Sequence, residues 1–483
     1  MQQHTDYDVI VVGGGTAGAC AGIAAAATGA RTLIVEQYGY LGGILSLGMN
    51  LLGAADGEGY WALGGFGRTA VRRLLEKGQA TPPVKDSLFG SILAQDPEPM
   101  KIELLKLARE KNAGLLFHSF LTDVTTEGGS VRSAQVANKA GLQQLTAKAW
   151  VDTTGDADVV ARAGGRFEFG REGDSLAQPV SNIFRVGGVD LEALWQYLEE
   201  HPEDRTAPTG WTGKPYTMEY IRNTPGVHLM AFQKLIERAK ADGNFTIPRH
   251  RLGIYTLPGR SDVVINLTRV HGIDGTDPWQ VTEAEAQVQL QTDEAVRFLR
   301  DYVPGFENTH LLSMPHQLGV RESRHALGSY RITRDDVMEG RDFDDQIGRG
   351  AYPLDIHDVK PGAKVLGAKV EGGGITLWPV MRSYGIPMRS VIPDGVDNVT
   401  VGGRCISATH EAAGSARGQS VCMVTGHAAG TIAALSALRG VPARDLDVRE
   451  VQDVLRDQDA VLERTQHIED EPAAAEPEAR VAV

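Results

Sequence analysis

The first 36 positions combine apolar runs with a glycine-rich turn in an order that predicts strand, helix and strand in close succession. Tyr7 to Val12 is an apolar run typical of a buried parallel strand. An alanine-rich segment to about Thr28 predicts a helix, and Thr32 to Val35 is a second apolar run that ends at Glu36. Together they predict one βαβ unit, with its helix where a right-handed crossover needs it.

Apolar spacing later in the chain predicts another helix and a set of strands before the pattern changes. Glu98 to Lys111 has its apolar residues on one helical face, as an amphipathic helix requires. Four short apolar runs then predict a small sheet of its own: Leu115 to His118, Leu121 to Thr125, Val131 to Asn138 and Gln143 to Val151.

From about residue 165 to 385, strand-like and helix-like pieces mix, which indicates a second domain inserted into the first. The first pattern returns with Val399 to Val401 and a helix from about residue 418 to 438. The predicted fold class is therefore α/β, with a Rossmann-like domain split by an inserted α+β domain.

Composition narrows the possible partners. Hydrophobic residues make up 42% and charged residues 23% of 483, as in an ordinary soluble globular protein. The 48 Lys and Arg against 62 Asp and Glu give a net charge of −14, which repels phosphate backbones and disfavours nucleic acid as a partner. No apolar run is long enough for a membrane span, so no membrane contact is expected.

The cysteines predict a reducing, cytoplasmic location. Cys20, Cys405 and Cys422 have no paired spacing, so they match neither a disulfide framework nor a zinc site. No bound metal is expected. The absence of a Cys-x-x-Cys or Cys-x4-Cys pair also disfavours the chemistry of a disulfide reductase.

The turn after the first strand carries the spacing Gly13-x-Gly15-x-x-Gly18. The first glycine allows the tight turn, the second lets a pyrophosphate approach the backbone, and the third lets helix pack on strand. The helix N-terminus then offers free N–H groups to the phosphate. Glu36 ends the second strand, where a carboxylate accepts hydrogen bonds from ribose hydroxyls. The sequence therefore predicts a dinucleotide site.

Three further glycine segments favour FAD over a nicotinamide dinucleotide. Leu41-Gly42-Gly43 follows Glu36 closely, Thr154-Gly155-Asp156 stands at a strand end, and Gly402-Gly403-Arg404 precedes the helix that contains Gly426. Nicotinamide dinucleotides are usually held by one contiguous domain, whereas FAD is longer and is commonly bound by segments far apart in sequence.

The chain resembles the FAD-dependent oxidoreductases with a glutathione-reductase-type FAD domain, and among them the group related to fumarate reductase and succinate dehydrogenase flavoproteins. The resemblance is carried by VIVVGGGTAGACAGIAAAATGARTLIVEQ, VDTTGDADVVARAG, GVRESRHALGSYRIT, AYPLDIHD and IPMRSVIPDGVDNVTVGGRCISATHEAAGSARGQS. One departure is Gln419-Ser420-Val421, where that family usually has a proline-threonine pair.

The resemblance implies an FAD domain of residues 1–165 and 386–445 and a substrate domain of residues 166–385. The residue pattern itself predicts a C-terminal helix within 446–467 and a disordered tail at 468–483. The resemblance also implies that Gly13, Gly15, Gly18 and Glu36 hold the cofactor together with Gly42, Gly43, Val124, Asp156, Gly403 and Arg404. The neighbouring residues of the same segments complete the predicted set: Thr16, Ala17, Gln37, Gly155 and Gly426.

Five ionisable residues are candidates for catalysis. His357 stands between Asp355 and Asp358, which suits a general base held in one tautomer. His410 follows the third glycine segment, and Arg417 lies near the start of the last long helix. If their segment is helical, Arg321 and Arg324 fall on one face and could bind a carboxylate. Packing and ion-pairing roles remain open for each of these residues.

These features predict an FAD-dependent oxidoreductase that takes hydride from a C–H next to a hydroxyl or amine of a small polar substrate. The acceptor of electrons from its reduced flavin would be O2, a quinone or a carrier. The sequence leaves open whether the protein forms a homo-oligomer. The enzymatic alternatives are a fumarate-reductase-like reduction or formation of an activated C=C bond, and a flavin-dependent monooxygenase. From other classes, an FAD-using nucleic-acid modifier and a non-catalytic FAD protein remain.

Overall fold

The computed structural model describes residues 3–205, 216–224, 226–360, 364–365, 368–369 and 375–470. The strands are β1 Gln3–Val12, β2 Thr32–Val35, β3 Leu51–Leu52, β4 Val84–Asp86, β5 Gly90–Leu93, β6 Gly114–Leu116, β7 Phe120–Glu127, β8 Ser130–Asn138, β9 Gly141–Asp152, β10 Phe167–Phe169, β11 Ile183–Gly187, β12 His228–Ala231, β13 Leu252–Thr256, β14 Val263–Asn266, β15 His310–Ser313, β16 Arg324–Ala326, β17 Gln346–Gly350, β18 Leu354–His357, β19 Lys364–Val365, β20 Ala368–Lys369, β21 Ile375–Trp378, β22 Tyr384–Pro387 and β23 Val399–Val401.

The α-helices are α1 Thr16–Ala27, α2 Gly65–Leu75, α3 Pro97–Glu110, α4 Asp158–Arg162, α5 Leu191–Glu200, α6 Met218–Asn223, α7 Gln233–Ala241, α8 Pro278–Tyr302, α9 Arg334–Glu339, α10 His410–Ala416, α11 Gln419–Arg439 and α12 Val448–Asp457.

The main sheet brings distant parts of the chain to one edge. Its order is β6-β2-β1-β9-β8-β7, and β23 also pairs with β9. β1 is parallel to β2 and β9, and β23 is parallel to β9. In this register Val12 lies beside Val35 and Asp152, and Val401 lies beside Asp152. The turns that follow these four strands therefore start side by side, where ligands of open α/β sheets bind.

α1 and α11 lie in direct backbone contact. A Cβ placed on Gly426 would lie 2.1 Å from the carbonyl oxygen of Ala17, and one on Gly430 would lie 2.0 Å from that of Ala21. Such distances exclude any side chain, so the glycines let the two helices approach closely. The contact fixes the start of α11 beside the start of α1.

The inserted region has a sheet and a core of its own. Its five strands are all antiparallel, in the order β12-β13-β14-β11-β15. Apolar residues of this sheet, including Phe184 and Ile254, pack against Phe298 and Leu299 of α8 in a separate cluster. The antiparallel sheet stands over the same edge of the main sheet and closes one side of the site.

Most predicted elements are confirmed with shifts of one or two residues at their ends, apart from β1, which begins four residues before the predicted Tyr7. Two expectations were wrong. The four strands after α3 are not a separate sheet, because β9 has 12 residues and pairs with β1 on one side and with β8 and β23 on the other. Arg321 and Arg324 do not share a helix, since Arg324 begins β16, which pairs with β10.

Two sequence predictions concern the C-terminal end. Within residues 446–467 the helix is α12, and residues 468–470 form a short 3-10 helix. The predicted disordered tail otherwise falls on residues 471–483, outside the described residues. Among the described helices, α11 is long and apolar enough to cross a membrane. Of its apolar 18-residue stretch, 94% is buried inside the protein.

Buried His427 of α11 gives a test of this packing. Its ring stacks on Phe66, and its Nε2 lies 2.7 Å from Oε1 of Gln458. Burial lowers the pKa of His427 to about 4. Below pH ~6.5 the unfolded chain therefore binds a proton that the folded chain lacks, and stability falls as the pH falls toward that lower value. Replacement of His427 by glutamine removes this pH-dependent contribution to the free energy of unfolding.

We expect the loss of stability between pH 7 and pH 5 to shrink by about 2 kcal/mol in His427→Gln. The measurement is urea unfolding at the two pH values. An unchanged pH dependence in His427→Gln would contradict the assignment.

Candidate active site

The shared edge of the main sheet opens on a cavity of about 710 Å³. Residues of all four turns line it, together with residues from the inserted sheet and from the start of α11. The turn residues are Gly13, Gly15, Thr16 and Ala17 after β1, Glu36, Gln37 and Tyr38 after β2, 153–156 after β9, and 402–404 after β23.

The turn after β1 is shaped to receive a phosphate. Gly13 has φ +94°, which favours glycine, and a Cβ on Gly18 would lie 1.7 Å from the carbonyl oxygen of Gly13. A Cβ on Gly15 would meet no described atom within 4 Å, so the space above it is open. Gly15 is the N-cap of α1 and offers no side-chain cap, which leaves the first N–H groups of the helix free for an anion.

Glu36 lies beside this turn as a fixed hydrogen-bond acceptor. Its Oε2 accepts from the N–H of Gly14 at 2.6 Å, and its Oε1 accepts from the N–H of Tyr38 at 2.8 Å. Burial raises the pKa of Glu36, while the backbone donors of Tyr38 and Gly14 oppose that shift. The remaining lone pairs can accept from ribose hydroxyls.

The turns after β9 and β23 meet in a charged contact. Nη2 of Arg404 donates to Oδ1 of Asp156 at 3.0 Å, and Oγ of Ser323 donates to the same oxygen at 2.6 Å. The contact holds a guanidinium in the cavity wall, where it can attract phosphate. The Thr16 hydroxyl connects α1 to the segment of Gly42 and to the start of α11, because it lies within hydrogen-bond distance of the carbonyl oxygen of Gly42 and of Oε1 of Gln419.

These residues fit a dinucleotide whose adenosine and pyrophosphate lie at the turns and whose other half extends further into the cavity. The open space over Gly15, the free N–H groups of α1, the acceptor Glu36 and the cation Arg404 all face one cavity that continues under the inserted sheet. A family model described as FAD dependent oxidoreductase matches residues 8–455.

The chain belongs to this family. It is an FAD-dependent oxidoreductase, and its cofactor is FAD. In sequence it is also 34% identical over 178 residues to a thiamine thiazole synthase from Aeropyrum pernix, a match that covers 34% of this chain and 59% of that protein. The chain thus spans less than two thirds of the length of that relative.

Two similar solved structures are a geranylgeranyl bacteriochlorophyll reductase-like protein from Thermoplasma acidophilum and p-nitrophenol 4-monooxygenase from Pseudomonas putida. The first is 13% identical, with a TM-score of 0.44, and the second is 11% identical, with a TM-score of 0.48. Each match covers 95% of this chain and 85% of the other. Likeness at this level supports no inference about substrate, and the comparisons give no support to the nearer relation to fumarate reductases.

Most of the predicted cofactor residues line the cavity, although their contact with FAD stays a prediction. The lining residues are Gly13, Gly15, Thr16, Ala17, Glu36, Gln37, Gly43, Gly155, Asp156, Gly403 and Arg404. Gly18, Gly42, Val124 and Gly426 are not among them. Gly18 and Gly426 serve helix packing, and Gly42 contacts the turn through its backbone. In the segment of Val124, the residues that reach the cavity are 119–121, just before and at the start of β7.

The predicted catalytic residues divide into two groups. Arg321, His357 and Arg417 line the same cavity. Arg324 does not, because its Nη1 bonds to the Asp156 carbonyl and to Asp158 Oδ1, each at 3.0 Å.

His410 does not line the cavity either. It is buried, and its Nδ1 contacts both carboxylate oxygens of Glu322 at 2.8 and 2.9 Å. Arg324 and His410 therefore hold the wall, and their predicted catalytic roles receive no support from their positions.

A dense group of ionisable residues forms one part of the cavity wall and the layer of buried side chains behind it. We call Arg249, Arg269, Arg321, Arg417, Asp355, Asp358, His357 and His228 the polar cluster. Nη2 of Arg417 donates to Oδ2 of Asp355 at 3.1 Å and to its carbonyl at 2.8 Å. Nη1 of Arg269 donates to Oδ1 of Asp358 at 2.9 Å, with both side chains fully buried.

The charges of the polar cluster act on one another. Burial, aided by the charge of Arg321, lowers the pKa of His357 well below its usual value, and burial lowers that of His228 as well. Burial also lowers the pKa of Arg321 to about 10. Burial opposes ionisation of Asp355, but the guanidinium groups of Arg417 and Arg321 outweigh it and hold the pKa of Asp355 far below its usual value.

The polar cluster carries more positive than negative charge. With both histidines neutral, four guanidinium groups face two carboxylates, which leaves two positive charges in excess. Several buried polar atoms also have no hydrogen-bond partner among the described residues: both ring nitrogens of His228, Oδ1 of Asp355, and Nε of Arg417 and Arg249. Unpaired buried charges and donors are costly, so this part of the cavity has polar atoms that a polar, anionic ligand could pair with.

Sequence reasoning missed three of the eight residues of this cluster. His228, Arg249 and Arg269 lie in the inserted region, on separate segments with no recognisable motif. Asp355 and Asp358 were noted only as neighbours of His357. The antiparallel pairing of β12, β13 and β14 brings these segments together. The spacing of residues within each segment does not predict such pairing.

Gly15 allows a direct test of the cofactor site. Its φ is −64°, which any residue can adopt, and a Cβ there meets open space, so Gly15→Ala should fold as well as the wild type. The added methyl group occupies the space that the pyrophosphate needs. We expect FAD affinity to fall at least tenfold, about 1.4 kcal/mol or more, in a titration followed by flavin fluorescence.

Gly18→Ala is the contrasting variant. Its Cβ would collide with the carbonyl of Gly13, so this change should lower the unfolding temperature even without FAD. Wild-type FAD affinity in a folded Gly15→Ala protein would refute the assignment of this turn.

Proposed function

We propose that this FAD-dependent oxidoreductase oxidises a small carboxylate substrate at a C–H bond next to a hydroxyl or amine. The observation that carries the proposal is the excess positive charge of the polar cluster, of which Arg321 and Arg417 line the same cavity as the cofactor turns. When bound, FAD would supply the electron acceptor. The chain's own residues would bind and orient the substrate and control the charge around it.

Arg321 and Arg417 are the residues we assign to the substrate carboxylate. Both line the cavity, and a guanidinium binds a carboxylate through two parallel hydrogen bonds. Nη1 of Arg321 donates to the carbonyl of Pro179 at 2.7 Å, which orients the side chain and leaves its other donors available. Asp355 holds Arg417 in place from the opposite side.

His228 would shape the rest of the substrate site. Its ring stacks on Phe89, with centroids 4.4 Å apart and planes 10° apart, and meets Tyr255 edge-on at 3.8 Å. The neutral, unpartnered imidazole can donate or accept one hydrogen bond from a hydroxyl or amine of the substrate.

A second candidate is flavin-dependent monooxygenation of an aromatic acid. It is favoured by an apolar stretch of the cavity wall, formed by Met49, Leu52, Phe89 and Leu377, that could hold a ring beside the polar cluster. Under this alternative the two arginines keep their role, while the reaction needs an external reductant and O2.

The first experiment exploits two arginines three residues apart. Arg321 lines the cavity, whereas Arg324 does not and is bound behind the wall to Asp156 and Asp158. Lactate, alanine and benzoate, each beside its methyl ester, are tested for perturbation of the flavin spectrum of the holoenzyme. We expect carboxylates to bind and esters to fail, and Arg321→Met to weaken binding roughly 10- to 100-fold. Arg324→Met is the control and should bind as the wild type does.

The second measurement separates the reactions. Anaerobic bleaching of the flavin by a carboxylate substrate alone supports oxidation. Bleaching only by NADPH or NADH, followed by incorporation of oxygen from labelled O2, supports monooxygenation. Equal binding of acids and esters, or equal effects of the two arginine variants, would contradict the anionic substrate site.

A further inference from the structure

We propose that Arg269 is a positioning residue that fixes His357 in one tautomer, so that His357 donates a hydrogen bond from Nε2–H toward the substrate and does not act as a base. The tautomer rests on geometry alone. The identity of its acceptor, an oxygen of the substrate, rests on the proposed function.

The contact between Arg269 and His357 sets the direction of the hydrogen bond. Nη2 of Arg269 lies 2.6 Å from Nδ1 of His357, and both side chains are almost fully buried. A guanidinium has donors only, so Nδ1 must supply the lone pair. A neutral imidazole that accepts at Nδ1 carries its proton on Nε2.

Arg269 is itself held so that it cannot turn away. Its Nη1 donates to Asp358, which follows His357 directly in the chain, and its backbone N–H donates to Oε1 of Gln291 at 2.7 Å. The backbone N–H of His357 donates to Oε1 of Gln178 at 3.2 Å. Ring and guanidinium are thus both anchored, and the contact between them is fixed by the fold.

The charges around the ring disfavour its protonated form. A second proton would place Nδ1–H against the donors of Arg269, and Arg321 adds another positive charge. Asp355, which faces Nε2, favours protonation, but burial and the two guanidinium groups outweigh it. His357 is therefore neutral and keeps its lone pair on Nδ1.

The two ring nitrogens face different surroundings. Arg269, on the Nδ1 side, does not line the cavity, whereas His357 and Asp355 do. Nε2 lies 3.2 Å from Oδ1 of Asp355, yet that oxygen accepts no well-aligned hydrogen bond. The Nε2–H group thus lies beside Asp355 at the cavity wall, where it can also donate to a ligand oxygen and stabilise negative charge on it.

The expectation from sequence that His357 serves as a general base is revised by this geometry. His357 is held in one tautomer as expected, but the group that holds it is an arginine and not a flanking acid. The locked proton sits on the nitrogen nearest the substrate. His357 then belongs with Arg321 and Arg417 as a third donor.

The test is the tautomer itself, read without turnover. Holoenzyme labelled with ¹⁵N-histidine is studied by two-bond ¹H–¹⁵N correlation, and the His357 signals are assigned by their loss in His357→Gln. We expect a protonated Nε2 and an unprotonated Nδ1 at pH 7. A protonated Nδ1 in the wild type, alone or together with Nε2, would overturn the proposal.

Two arginine variants test the cause. Arg269→Met removes the donor and should release a mixture of tautomers. Arg249→Met removes another buried guanidinium of the polar cluster that makes no bond to His357 and should leave the Nε2–H tautomer unchanged. Arg269→Lys keeps a charged donor and should restore the tautomer, which guards against a misfolded methionine variant. An unaltered tautomer in folded Arg269→Met would refute the role of Arg269.

The acceptor is tested separately by adding lactate or benzoate to the labelled holoenzyme. A shift of the Nε2 proton on binding, absent with the methyl ester, supports donation to the substrate carboxylate or a neighbouring oxygen. Binding without any shift would overturn the donor role. If no carboxylate binds while the Nε2–H tautomer is found, the proposed function fails and the tautomer assignment stands.

Discussion

The parallel register of β1, β2, β9 and β23 is the constraint on which the site depends. Because Val12, Val35, Asp152 and Val401 end side by side, the turns after these four strands open toward one cavity. Hydrogen bonds of the sheet fix this register, and a shift of one residue would turn every following side chain to the opposite face. The free N–H groups of α1, the carboxylate of Glu36 and the guanidinium of Arg404 owe their shared orientation to it.

The cofactor half of the site could be predicted from sequence because its chemistry is local. A glycine turn, a strand-end acid and a helix N-terminus follow one another within the first 36 residues, and each has a physical reason for its spacing. The same local reasoning names the right segments but not always the residues in them that line the cavity. Val124 lies a few residues from the part of its strand that reaches the cavity, and Gly18, Gly42 and Gly426 serve packing or backbone contacts instead of lining it.

The substrate half could be predicted only in part, because it is assembled by long-range pairing. Arg321, His357 and Arg417 could be named as ionisable residues in suitable segments. Their partner Arg269 could not be named, since its contact with His357 joins positions 88 residues apart. Burial and the balance of charge, which decide the protonation of each group, exist only once the inserted sheet has closed over the main sheet.

The contact of α1 with α11 also constrains how the protein can form during synthesis. The glycine-to-alanine packing of Gly426 on Ala17 joins two segments separated by about four hundred residues. Until the ribosome has delivered β23 and α11, the first helix lacks its packing partner and part of β9 has an unpaired edge. Nascent chains with such delayed closure expose apolar surface for longer and fold more slowly. The arrangement that joins distant segments around one cofactor thus makes this domain among the last parts of the chain to mature.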